Sequence, residues 1–172
     1  LIQCGINVID IGTVTTPMGY WAQYFLKVKG LVTVTASHNP VGWNGVKLGS
    51  DLSYTLLTDE LGEVYDIIEK EEFIDGKGSI RKEDIVEPYI KDLLSRVKIT
   101  KKFKILVNTG NGTAGPVHVE ALKRAGSDIV EHFTNVDSTY PNYTPNPDGT
   151  SMMEDTGKQT VRNGCDFGFA FD

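Results

Sequence analysis

The sequence predicts an α/β protein of two consecutive domains, each a mixed sheet flanked by helices, and three observations lead there. Short β-branched runs alternate with longer stretches in which apolar residues recur at helical spacing. A segment over 73–83, with Gly76, Lys77, Gly78 and Ser79 among charges, interrupts the alternation and divides the chain into 1–82 and 83–172. The 172 residues, 40% hydrophobic and 23% charged, supply apolar material for one core or two modest ones.

In chain order, a strand over 7–11 leads into a helix over 18–28, with Thr16 as N-cap and Pro17 at the first helical position, where its missing N–H costs nothing. A strand over 31–35 follows Gly30, and its density of Val and Thr reads as burial on both faces. Val46-Lys47-Leu48 reads as a short return strand that brings Lys47 back beside Ser37. A helix over 59–71, capped by Thr58, carries Leu61, Val64, Ile67 and Ile68 on one face, and the acids Glu69, Glu71 and Glu72 read as its solvated end. The second half repeats the alternation: helix 87–97, strand 104–108, helix 116–125, strand 128–133, a Pro-rich loop over 136–149, helix 152–163 and strand 167–171.

Between the strand 31–35 and its return lies Thr35-Ala36-Ser37-His38-Asn39-Pro40. Pro40 lacks an N–H and pushes Asn39 out of the helical region, so Ser37 belongs on a turn, which Gly42, Asn44 and Gly45 prolong. A serine hydroxyl becomes a useful nucleophile only when a neighbour takes its proton or offsets charge on the attacked group. Lys47 is placed to offset that charge, and His38 to orient or hydrogen-bond a phosphate. Spacing alone equally allows a plain polar loop in which Ser37 and Asn39 cap turns.

Thr35 to Pro40 followed by Asn44-Gly45-Val46-Lys47-Leu48 resembles the active-site serine loop of the α-D-phosphohexomutase superfamily, which includes phosphoglucomutases and phosphomannomutases. Tyr140-Pro141-Asn142-Tyr143-Thr144-Pro145-Asn146-Pro147 is similar to a second family segment, with Tyr143 where the family usually has His. Asp166-Phe167-Gly168-Phe169-Ala170-Phe171-Asp172 resembles the strand that feeds the family's metal loop.

The resemblance implies an isomerase of phosphomannomutase/phosphoglucomutase type that interconverts hexose 1-phosphate and hexose 6-phosphate, of mannose and/or glucose. It works through a phosphoserine and a bisphosphorylated sugar, with glucose 1,6-bisphosphate or mannose 1,6-bisphosphate as activator and intermediate. Carried over by position, Ser37 is the phosphoryl carrier, Lys47 a charge stabiliser and candidate acid/base, and His38 a further catalytic residue. Thr35, Ala36, Asn39 and Pro40 shape the loop, and Asp172 with an oxygen on Ser37 ligates Mg2+, a hard cation that takes carboxylate and phosphate oxygens. The expected chain is partial, holding the later part of the first family domain and most of the second, inactive without domains 3 and 4 of the same protein.

Gly110-Asn111-Gly112-Thr113-Ala114-Gly115 supplies a rival, a literal G-x-G-x-x-G between strand and helix with Glu131 about 20 residues on, as an NAD(P)-dependent oxidoreductase requires. The resemblance reads the same glycines as a tight strand-to-helix turn. A non-catalytic sugar-phosphate binding fragment is a third reading. Structural bracing is the expected role of the Pro-rich loop, and packing or surface roles fit His118 and His132.

A net charge of −6 excludes a surface for the nucleic-acid backbone. No apolar run approaches the roughly 18 residues of a membrane span. Cys4 and Cys165 read as buried free thiols in a reducing, cytoplasmic setting, and with His38, His118 and His132 they make no zinc-type cluster.

Overall fold

The computed structural model describes residues 1–39 and 41–172. The chain divides into two compact units, the first built of Leu1–Thr35 with Asn44–Ile85 and the second of Ala36–Trp43 with Val86–Asp172.

In the first unit, β1 (Val8–Asp10) pairs in parallel with β5 (Ile80–Lys82), Val8 opposite Ile80. β5 falls inside the segment that the sequence reads as a connection; it is short, charged and exposed along its length, so no apolar alternation marks it. Asn7 anchors the pair, its Oδ1 accepting both the Ser79 N–H and the Ser79 hydroxyl. A Cβ on Gly78 would run into the Ile6 carbonyl, which explains the glycine there.

A separate antiparallel sheet joins β2 (Leu31–Val34), β3 (Val46–Ser50) and β4 (Tyr54–Thr55), with Thr33 opposite Lys47 and Val34 opposite Val46. Only alternate residues of β2 are half-buried, and Val34 is 71% exposed, so the expected burial on both faces is not found.

Helix α1 (Thr16–Leu26) packs on this sheet through Gly19, which lies against the Leu31 side chain, and the neighbouring Met18 is fully buried. Its N-cap is Thr15 rather than Thr16, so Pro17 sits one place further in, still among the N–H groups that have no helical partner. Gln23 is buried with both ends of its amide satisfied, donating to the Lys29 carbonyl and accepting from the Ser53 N–H. α2 (Thr58–Glu69) starts one residue earlier than expected. Its cap position is Leu57, whose N–H is held by Glu60 at 2.8 Å, and all of its residues keep surface exposed.

The second unit has one sheet of three parallel strands in the order β7 (Asp128–His132), β6 (Lys104–Asn108), β8 (Phe167–Ala170). Central β6 explains its own sequence. Ile105 and Val107 point to one face, where Val119 of α4 (Gly115–Arg124) completes a core ringed by Phe103, Leu122, Ile129, Phe167 and Phe171.

Leu106 points to the other face, level with Gly168 on β8. A Cβ on Gly168 would collide with Thr160 of α5 (Thr150–Arg162), so that helix crosses directly over this face. α3 (Val86–Arg96) packs against α4, where Arg124 grips Glu87 with a two-pronged ion pair. Helices on both faces of a parallel sheet are what bury Ile105 to Asn108 of β6.

Cys4 and Cys165 are free but half-exposed, not buried as expected. Among the described residues, no helix is long and apolar enough to cross a membrane.

Candidate functional site

The turn from Ala36 to Asn39 is closed by the Asn39 N–H donating to the Ala36 carbonyl at 3.1 Å. Ser37, its second residue, has φ +51°, a left-handed backbone that glycine adopts freely and serine does not. Such strain collects where surrounding structure holds a residue in place for a purpose. Ser37, His38 and Asn39 are all exposed, while Thr35 and Ala36 are half-buried. Pro40 lies outside the described residues. Trp43, further along the same loop, is 66% exposed.

His38 is tied down. Its Nε2 stands 3.0 Å from Oδ2 of Asp172, a contact between side chains 134 residues apart in sequence. Both belong to the second unit. Asp172 is carried there by β8, whose end is pinned by the Phe171 N–H donating to the Asn108 carbonyl at 2.8 Å. The Phe171 ring packs against the His118 ring at 4.3 Å, and burial pushes the His118 imidazole below its ordinary pKa, which gives that residue the packing role the sequence suggests.

Lys47 belongs to the first unit, exposed on β3 and paired with Thr33. Also in that unit, the Thr35 N–H donates to the Gly45 carbonyl at 2.9 Å and closes the base of the loop. The structure thus brings His38 and Asp172 together and sets Ser37 on the same turn.

Asp172 offers the hard oxygen donor that a magnesium ion takes, and a phosphoryl group on Ser37 would offer a second, so the donor chemistry fits as far as this set goes. Among the described residues, no group of three or more His, Cys, Asp or Glu side chains converges as a metal centre.

The carboxyl ends of β6 and β7 carry a second polar constellation, one that spacing alone does not reveal. Buried Asn108 ends β6. Its Oδ1 accepts the Gly110 N–H, and its Nδ2 donates to the Tyr143 hydroxyl at 2.7 Å and to Thr156 Oγ1 at 2.8 Å. Tyr143 in turn donates to Asp155 Oδ2 at 3.0 Å, and His132 Nε2 lies 2.7 Å from the same oxygen.

Burial pushes the Tyr143 phenol up to about 12, so it stays protonated and able to donate. Burial also opposes ionisation of Asp155, but hydrogen bonds from His132 and Tyr143 outweigh it and hold that carboxyl below its usual range. The signal available in the sequence was an Asn at a strand end beside glycines, with an aromatic in the Pro-rich loop.

The same loop decides the fate of the glycine motif. Gly110 and Asn111 have φ +52° and +67°. A Cβ on Gly110 would lie 3.1 Å from Pro145, one on Gly112 3.5 Å from it, and one on Gly115 would run into the Thr134 carbonyl. The close approach that glycine permits is therefore taken by the protein's own chain, not left open for a pyrophosphate. Glu131, the required acid, is engaged by Lys123 at 2.7 Å and by the Thr134 hydroxyl at 2.8 Å. The geometry overturns the dinucleotide reading.

Residues 1–75 match the family model described as phosphoglucomutase/phosphomannomutase, alpha/beta/alpha domain I, and residues 87–172 match that of domain II. A phosphomannomutase/phosphoglucomutase of Pseudomonas putida is 33% identical over 174 residues, which cover 100% of this chain and 37% of that protein. A phosphomannomutase of Vibrio cholerae is 37% identical, covering 100% of this chain and 39% of its own length. The crystal structure of a phosphoglucomutase/phosphomannomutase family protein from Burkholderia thailandensis superposes with a TM-score of 0.92 at 30% identity, covering 99% of this chain and 39% of that one. The chain thus spans a little over a third of the length of the relatives it matches.

Proposed function

The chain belongs to the phosphoglucomutase/phosphomannomutase family, and from that premise we propose that it carries the phosphoryl-donor serine and part of the cation site of a hexose phosphate mutase, an isomerase. The observation that carries the reading is Ser37, held exposed at φ +51° on a turn whose next residue grips Asp172. The reading of 1–82 and 83–172 as two family domains belongs to the same proposal, with the turn over 36–43 grouping with the second unit.

In this reading Ser37 is phosphorylated in the resting enzyme. A sugar hydroxyl attacks its phosphorus; the bond to Ser37 Oγ breaks, a bond to the sugar oxygen forms, and the hydroxyl's proton passes to a base. The product is a hexose bisphosphate. Return of its other phosphoryl group to Ser37 Oγ releases the isomeric hexose phosphate. Little covalent work falls to the protein beyond positioning and neutralising charge on the moving group. Lys47 offsets that charge and is the candidate acid/base, while Thr35, Ala36 and Asn39 shape the turn.

Asp172 and a phosphoryl oxygen on Ser37 would hold Mg2+, which when bound withdraws charge from the phosphoryl oxygens. Substrates are hexose phosphates, of mannose and/or glucose, and glucose 1,6-bisphosphate or mannose 1,6-bisphosphate is the activator.

The test is incubation of the intact protein with glucose 1,6-bisphosphate and a labelled hexose phosphate. Parent protein interconverts the 1- and 6-phosphates and Ser37→Ala loses at least about 10³-fold in rate. Full activity in that variant refutes the assignment.

A further inference from the structure

The ring of His38 is 39% exposed and the Asp172 side chain 69%, so their contact adds little to stability as a surface ion pair. What it does is fix the orientation of a carboxylate. The backbone at the end of β8 is already set by the Phe171 N–H to Asn108 and by the packing of the Phe171 ring on the Ile105, Val107 and Val119 core. The carboxylate at Asp172 can still rotate about its own side-chain bonds, and the 3.0 Å contact to Oδ2 is what holds it, leaving Oδ1 for another partner. Ligating carboxylates are commonly held in this way by an outer hydrogen-bond donor.

We propose that His38 is a positioning residue for the divalent cation: its imidazole holds Oδ2 of Asp172, so that cation affinity depends on the turn that carries Ser37. This rests on the reading of Asp172 as a cation ligand. One residue then links two functions. The side chain following the phosphoryl carrier sets the geometry of the ligand contributed by a distant strand. Because coupling between sites is reciprocal, a bound cation also favours the turn geometry in which Ser37 is presented.

The experiment is calorimetric titration of MgCl2 into the intact, dephosphorylated protein and three variants, with thermal unfolding as a check on folding. His38→Ala weakens Mg2+ binding by about 10- to 100-fold, the cost of removing such outer donors. His38→Gln, whose amide N–H replaces the Nε2 donor, recovers most of that loss, and Asp172→Asn abolishes measurable binding. Should His38→Ala bind Mg2+ as tightly as the parent, or His38→Gln lose as much as His38→Ala, while Asp172→Asn does not bind, the positioning role is refuted and the ligand assignment stands. Should Asp172→Asn also bind normally, both fail.

Discussion

Strand β6 in the second unit and the β2–β3 hairpin in the first are both built from β-branched and aliphatic residues, yet they end in opposite environments. Ile105, Leu106 and Val107 are buried, Leu106 and Val107 fully so, whereas the cross-strand pair Val34 and Val46 remains 71% and 59% exposed. The difference follows from what covers each sheet: α4 and α5 close both faces of β6, while α1 meets the hairpin on the side of Leu31. The turn that carries Ser37 leaves the hairpin and groups with the unit whose central strand is sealed. Site geometry is held best by rigid helices and strands, and here the element that carries Asp172 is β8, hydrogen-bonded along its length to β6.

Three substitutions test that contrast. Leu106→Ala opens a cavity at the fully buried centre of the sheet and lowers stability by about 3–5 kcal/mol, read as a shift of the urea midpoint. A loss near zero would mean that β6 is not the platform described.

Asp155→Asn gives a smaller, pH-dependent effect. The Asp155 carboxyl has a folded pKa below the ordinary 3.8, so its contribution is complete at pH values above 3.8 and is lost as pH falls through the lower folded value. The variant is therefore about 1–3 kcal/mol less stable at neutral pH, and the gap closes on acidification below the ordinary value. A gap that widens in acid contradicts the network. The smallest effect is Val34→Thr, within about 0.5 kcal/mol of the parent because the side chain is already largely in water. A cost comparable to Leu106→Ala would show that the hairpin is covered in the intact protein.

What could be read from the sequence followed from local chemistry. The β-branched runs announce β2, β6 and β7, the glycines and Pro40 announce the turn, and the spacing from Ser37 to the Asn44–Leu48 segment announces the return strand β3 that carries Lys47. What could not be read is long-range. β5 has no apolar pattern of its own and exists because Asp10 and its neighbours offer it a partner. The α1 cap falls on Thr15 and not Thr16, a choice between adjacent residues of one type that composition does not decide.

The Asn108–Tyr143–Asp155–His132 network joins residues from three elements and a loop, and nothing in local spacing marks them as neighbours. Nor does any pattern predict His38 on Asp172 across 134 residues. The glycine motif shows the converse: its spacing matched a phosphate cradle, and only Pro145 and Thr134 reveal that the space is filled.

In the proposed reading Ser37 carries the phosphoryl group. Peptide mass spectrometry of the intact protein after brief exposure to glucose 1,6-bisphosphate tests it most directly: a phosphoryl adduct on Ser37, lost again when hexose monophosphate is added in excess, is the predicted result. An adduct on another residue, or an unmodified Ser37 in protein that is turning over substrate, would contradict it.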